Sequence, residues 1–400
     1  CRDGQSRPQF QAFATRAQRV TGPLPLDAAL ICDAGTIERD PSSAARFVRG
    51  FLNAQPGELI ANSHSHAALL TCGDLRLPVT IEDGRYGDTY VASPHSAYVL
   101  YARDEIGILG LTGFARAGAQ LSLGALDRWL RALSINRTVH IDNWMLSTSL
   151  HGRWDGTGLA AMRRAVTARF PEHLPMVRCV DPWSCPELVS SLRSDGWSLL
   201  PARQIWVTDD LEGRWKPRNH TKSDRRAMRR SGLVVEEIAA MSNSDAERLA
   251  ELYKQLYLER YSAMNPAYTP AFVKLACESG ALRFRVARAG DGMIMASAGM
   301  RVAGDLVTVP MLGYDTTRPK SEALYRIASL LSSEWAMERG YRHHGSSGAG
   351  EFKSNRGARG QIEYCAVHTG HLPPGRRMGI KLLAETLERT MVPALERQGW

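Results

Sequence analysis

The sequence has no run approaching roughly 18 uninterrupted apolar residues, because arginines punctuate every apolar stretch, and this excludes a membrane-spanning helix. It has no CxxC pair and no cysteine–histidine ligand spacing. Its seven cysteines, at positions 1, 32, 72, 179, 185, 277 and 365, are odd in number and scattered. They read as reduced core or incidental thiols of a cytoplasmic protein, with no disulfide or zinc framework and no metal site. No signal-peptide pattern leads the chain, which begins at Cys1 and reads as a start trimmed of its methionine. Lysine is scarce: seven of the 50 basic residues, against 43 arginines.

What is present is ordinary for a globular protein, 44% hydrophobic and 23% charged, which excludes a mainly disordered chain. Four hundred residues exceed one small domain. The net charge of +9 favours acidic partners such as phosphates, coenzymes, nucleic acid or anionic lipid. Arginine forks suit phosphate oxygens, although a GC-rich genome gives the same bias.

Two mixed halves follow from the periodicities. In the first, Thr138–Ser147 is predicted as a strand, then a turn-rich loop, then a helix carrying Leu159, Met162, Val166 and Phe170. A strand over Pro175–Val180, a helix from Pro186 to Gly196 and a strand over Trp197–Val207 complete it. The second half opens on a capping box, Ser244 to Glu247, with Leu249, Leu252 and Leu256 on one stripe. Strands over Arg283–Ala289, Met293–Val302 and Leu306–Tyr314 precede a helix capped by Ser321. A strand over Glu363–Thr369 and a helix over Lys381–Gln398 close the reading. The seam is placed at Asp209–Arg218, giving lobes 1–208 and 209–400.

Three segments carry candidate chemistry. Arg153, Gly156 and Gly158 have R-x-x-G-x-G spacing between a strand and a helix, where glycine N–H groups and a helix N-terminus can hold a diphosphate. Asp155 works against an anion there, and a plain turn is the alternative. The stretch Arg214–Arg230 holds eight basic residues against Asp224, with Arg225/Arg229 and Arg226/Arg230 at i,i+4. Like charges so spaced are unfavourable unless an anion joins them, so these four arginines are candidate nucleic-acid contacts, against a solvated basic linker. In Gly345–Ala358, small residues crowd around Phe352, Lys353 and Arg356, as a backbone-lined pocket with two cations at its lip would require. The histidine pairs His64/His66 and His343/His344 read as structural, the latter pointing to opposite faces.

The strand ending Gly313-Tyr314-Asp315, the helix over Leu324–Met337, Gly345-x-Ser347, Phe352-Lys353-x-x-Arg356-Gly357-Ala358 and Tyr364 together resemble the C-terminal half of FemX/FemAB-like transferases, a branch of the GNAT superfamily. The resemblance spans roughly residues 200–370. It implies an α/β (α+β) fold of two tandem GNAT-like lobes, each a mixed, mostly antiparallel sheet flanked by helices. It implies an enzyme that forms an amide by moving an activated acyl or aminoacyl group onto an amine, with no tightly bound cofactor. The donor it favours is aminoacyl-tRNA, with an acyl-coenzyme A thioester as the alternative. Thr316–Ser321 stands where a coenzyme A enzyme carries its glycine loop, and no long helical extension for tRNA is visible.

On that basis Lys353 is assigned beside the acyl or phosphate oxygens with Arg356 as its partner, and Tyr364 or Tyr314 as proton donor to the leaving group. Arg318 and Lys320 stand in for the missing glycines at the phosphates. A basic RNA-binding module without catalysis is the competing reading from another class, and aminoacylation of a lipid at a membrane surface is a third. The acceptor, a small molecule or a peptide amine, is not legible.

Overall fold

The computed structural model describes residues 27–108 and 112–398. Twelve strands form one sheet: β1 Ala28–Ile31, β2 His66–Cys72, β3 Leu75–Asp83, β4 Arg137–Ile141, β5 Leu174–Val180, β6 Ser198–Thr208, β7 Val234–Ile238, β8 Arg283–Arg288, β9 Ile294–Ala303, β10 Leu306–Tyr314, β11 Arg342–His344 and β12 Arg359–Val367. Among the described residues the helices are α1 Ser43–Asn53, α2 Tyr101–Ile108, α3 Gly113–Ala132, α4 Leu159–Arg169, α5 Pro186–Ser194, α6 Asn219–Ser231, α7 Asn243–Tyr253, α8 Pro270–Glu278, α9 Leu324–Glu338, α10 Gly350–Ser354 and α11 Pro374–Gln398. None of them is long and apolar enough to cross a membrane.

Strand order is β1-β2-β3-β4-β5-β12-β6-β11-β10-β9-β8-β7. First-half strands fill one end and second-half strands the other. At the junction, β12 lies antiparallel between β5 and β6, and β6 pairs antiparallel with β11. Two pairs are parallel, β4 with β5 and β10 with β11, each bridged by a helix in the way a parallel connection requires. β5 is buried at all seven positions, as a strand covered on both faces must be.

Alternation along the strands sends side chains into separate cores. On β8, Phe284 and Val286 join α1, α7 and α8, whereas Ala287 joins the core beneath α9. On β5, Leu174 and Met176 meet α3 and α11, whereas Val177 and Val180 meet α4 and α5.

Several local expectations shift. The strand predicted over Thr138–Ser147 ends at Ile141, because Asp142 and Met145 adopt left-handed backbone (φ 55° and 54°) that no strand accommodates. Ser242, and not Ser244, caps α7, its hydroxyl accepting the Asp245 N–H at 3.1 Å. Ser321 lies in a short 3-10 turn, and α9 starts after Ala323.

Candidate functional site

β10 and β11 run side by side for three residue pairs, Leu306 with Arg342, Val307 with His343 and Thr308 with His344. Pairing with β11 ends at Thr308, just before Pro310, which has no N–H for a ladder, and on its other edge β10 shifts register against β9 between Thr308 and Met311. The chain after β11 instead stays with β6: Gly345 N–H donates to the Trp206 carbonyl at 2.7 Å, and Trp206 N–H to the Ser346 carbonyl at 3.0 Å. The two parallel neighbours therefore part, and a cavity of about 560 Å³ opens at the split. That is the size of a small-molecule site. Val309 and Leu312 line it from β10, and His343 and the Gly345–Ala349 loop from the other side. Its walls are aromatic, with Trp206, Trp215, Tyr257, Tyr325 and Phe352.

Lys353 stands in this cavity. α10 and its left-handed entry at Ala349 (φ 48°) fold the loop back so that Nζ donates to the Ser347 carbonyl at 2.8 Å and to the Ser346 carbonyl at 3.4 Å. No carboxylate pairs with it among the described residues. Burial, reinforced by the positive charge of Arg203, pushes its ammonium down to about 7. Arg203 also lines the cavity but is occupied: Nε donates to Glu363 at 2.7 Å and an Nη to the Ser147 carbonyl at 2.8 Å. Burial would raise the Glu363 carboxyl, yet the Arg203 charge holds it below the usual range.

His343 is the site residue that the sequence did not expose. It lines the cavity, and its Nε2 is buried with no hydrogen-bond partner. Burial, then the charges of His344 and Lys353, push the imidazole down to about 3, so it is neutral at ordinary pH. His343 and His344 do face opposite ways, His344 accepting the Ser346 N–H at Nδ1 (3.1 Å). Facing the cavity is what gives His343 its opportunity, and no spacing signals that. Its place in β11, two residues before Gly345, is the clue that the sequence offers.

The other assigned residues are distributed as follows. Arg356 is in the cavity wall, but its charge is spent: Nε and an Nη donate to Asp224 at 2.6 and 3.0 Å, and the guanidinium lies 3.4 Å over the Phe352 ring. Arg356 thus ties α10 to α6 instead of partnering Lys353. Tyr314 is outside the cavity lining, its hydroxyl accepting from Arg260 at 2.9 Å. Tyr364 packs against the first-half core, where burial and then the Glu388 charge raise its hydroxyl. Neither tyrosine reaches the split, because Tyr314 ends a strand beyond it and Tyr364 belongs to the strand inserted beside β5.

The glycine loop is also elsewhere. A Cβ on Gly156 (φ 98°) would meet Ser191 at 2.3 Å, and one on Gly158 (φ 77°) would meet the Cys72 sulfur at 2.5 Å. Close packing against α5 and β2 demands these glycines. Asp155 fills the turn itself, accepting the Thr157 N–H at 2.8 Å, and exposed Arg153 sits beside Asp305. Arg318 is ion-paired with Glu322 at 2.7 Å, and Lys320 is exposed; neither lines the cavity. On α6, Arg225 donates to Glu334 at 2.8 Å and lies over Trp215. Arg226, Arg229 and Arg230 are exposed and free of ion pairs among the described residues. No cluster of His, Cys, Asp and Glu that could hold a metal ion is found among the described residues.

No family model matches the chain, and no curated protein matches it. Solved structures that resemble it include L-PGS from Bacillus licheniformis, at 13% identity and TM-score 0.44, over 58% of this chain and 80% of that one. The crystal structure of FemX is similar at 9% identity and TM-score 0.42, over 53% of this chain and 75% of that one. A tandem GNAT protein from the clavulanic acid biosynthesis pathway is similar at 12% identity and TM-score 0.36, over 86% and 98% of the two chains. All three likenesses are distant, and the fold and site stand on the geometry above.

Proposed function

We propose that the chain is an amide-forming acyltransferase working in the split between β10 and β11. The observation that carries this reading is Lys353: a single cation without a carboxylate, held by two carbonyls inside an aromatic cavity at a break between parallel strands. An activated carbonyl lodged there directs its oxygen at the ammonium, which stabilises the charge that develops as an amine attacks. The C–N bond forms, the bond to the donor's oxygen or sulfur breaks, and the proton lost by the amine leaves with the departing group. Proximity in the cavity supplies much of the rate, so a strong base is unnecessary. Neutral His343 offers its free Nε2 as a hydrogen-bonding group on the same wall.

Aminoacyl-tRNA is the favoured donor. α6 presents Arg226, Arg229 and Arg230 to solvent while its Asp224 grips Arg356 beside Lys353. A phosphate backbone on that helix would sit on the element whose buried side anchors the cavity wall. Acyl-coenzyme A is the alternative, weakened because the Arg153–Gly158 loop is packed against α5 and β2. The test is transfer to an amine measured with charged tRNA and with acetyl-coenzyme A, in wild type and Lys353→Ala. Loss of transfer in the variant supports the reading, and unchanged transfer removes Lys353 from the mechanism. RNA binding without transfer from either donor favours the non-catalytic module.

A further inference from the structure

The cavity has a second unpaired charge. Glu105, on α2 from the first half, is the one carboxylate among the described lining residues. It has no hydrogen bond or ion pair among the described residues, whereas Arg203 and Arg356 on the same cavity have their own acids. Glu105 lies one helical turn after Tyr101, so both project from one side of α2. The Tyr101 ring meets Tyr90 edge-on at 5.3 Å, and Tyr257 and Tyr261 stand 6.3 Å apart; all four rings line the cavity. We infer that Glu105 and these four tyrosines form an ammonium-binding end of the cavity, which selects ligands carrying a free amine.

Tyrosine faces attract a cation in a water-poor wall, and a carboxylate supplies the strong, charge-assisted hydrogen bond that fixes it. Glu105 is carried by α2 of the first half and Lys353 by α10 of the second, and both line the cavity. The two occupy separate parts of one space, and a ligand with an ammonium at one end and a polarised carbonyl at the other is thereby oriented. Glu105 is itself exposed to solvent, and the desolvation of its carboxyl against the cavity, then the Asp104 charge, push it up to about 7. An arriving cation relieves that strain on the ionised form. The inference rests on the transfer reading, in which both the acceptor and an aminoacyl donor carry an amine, and either can be the occupant.

The experiment is calorimetry on the full chain at pH 8 with two matched pairs of probes. Phenethylamine against 2-phenylethanol represents the acceptor. 3′-Alanylamido-3′-deoxyadenosine with a free or an acetylated α-amine represents the donor. The expected result is a preference of about tenfold or more for the free amine in at least one pair, abolished by Glu105→Gln and kept by Lys353→Ala. The pair that shows it identifies the occupant. Equal binding within both pairs, or a preference that survives Glu105→Gln, overturns the inference. Amine selection by a protein that transfers nothing would defeat the proposed function and leave this site standing, so the two failures are distinguishable.

Discussion

Lys353 sets two expectations that no neighbouring residue shares. If its ammonium meets the developing oxyanion, turnover falls as pH rises through about 7, while deprotonation of the acceptor acts in the opposite direction. Lys353→Arg carries a charge that does not titrate in this range, so it should retain part of the activity and lose the alkaline fall in kcat. Lys353→Met should lower kcat by about 10²- to 10³-fold, the cost of removing one oxyanion donor. Stability moves the other way. The folded protein releases this proton near 7 and the unfolded chain only near the ordinary lysine value, so the penalty of the buried charge is fully felt below about pH 7 and fades as pH rises above it. Lys353→Met should therefore raise Tm by about 2 °C at pH 6 and by less at pH 9, read by calorimetry. Lys353 was legible in the sequence as a cation among small residues. His343 was not, since a cavity-facing histidine and a core histidine have the same neighbours in sequence.

α6 has two faces that its composition alone could not separate. Its buried side holds Asp224, which receives Arg356 and also Arg326 at 2.6 Å. Asp224→Asn would leave two guanidiniums without a counter-charge and should destabilise the fold by about 3–5 kcal/mol, measured by urea unfolding, with turnover lost in parallel as α10 loosens. Its exposed side holds Arg226, Arg229 and Arg230. Replacing these three by glutamine should leave Tm within a degree or two and lower the salt dependence of tRNA binding by about two to three units of log–log slope. An unchanged slope would take tRNA off this helix. The basic run showed that such a face existed. It could not show that Arg225 is spent on Glu334 and Trp215, because those partners lie on other elements more than a hundred residues away or across a turn. The R-x-x-G-x-G loop misled for a related reason: glycine is required equally by a phosphate cradle and by the close approach of a helix, and only the positions of Ser191 and Cys72 decide between them.

At the scale of the whole molecule, the helices and strands of residues 159–208 and 283–338 follow their periodicity closely, since apolar stripes are local properties. The pairing of those strands is not local. Nothing in the composition of Arg359–Val367 announces that it inserts between β5 and β6, yet the sheet is continuous only because it does. Separately expressed 1–208 should therefore leave β5 and β6 with bare edges and fail to give a stable fold, whereas adding 209–400 in the same cell should restore it. The intact chain should unfold in one cooperative transition by circular dichroism and fluorescence alike. Two resolved transitions would mean that the halves are held together more weakly than their shared sheet requires.

That shared sheet also fixes when the protein becomes complete during synthesis. β5 and β6 leave the ribosome well before β12, the strand that lies between them in the finished sheet. The Lys353 loop is translated just ahead of that strand, and its anchor to Trp206 lies on the opposite edge of β6, beside β11. A nascent chain thus carries an unfinished pocket until Arg359–Val367 has been made.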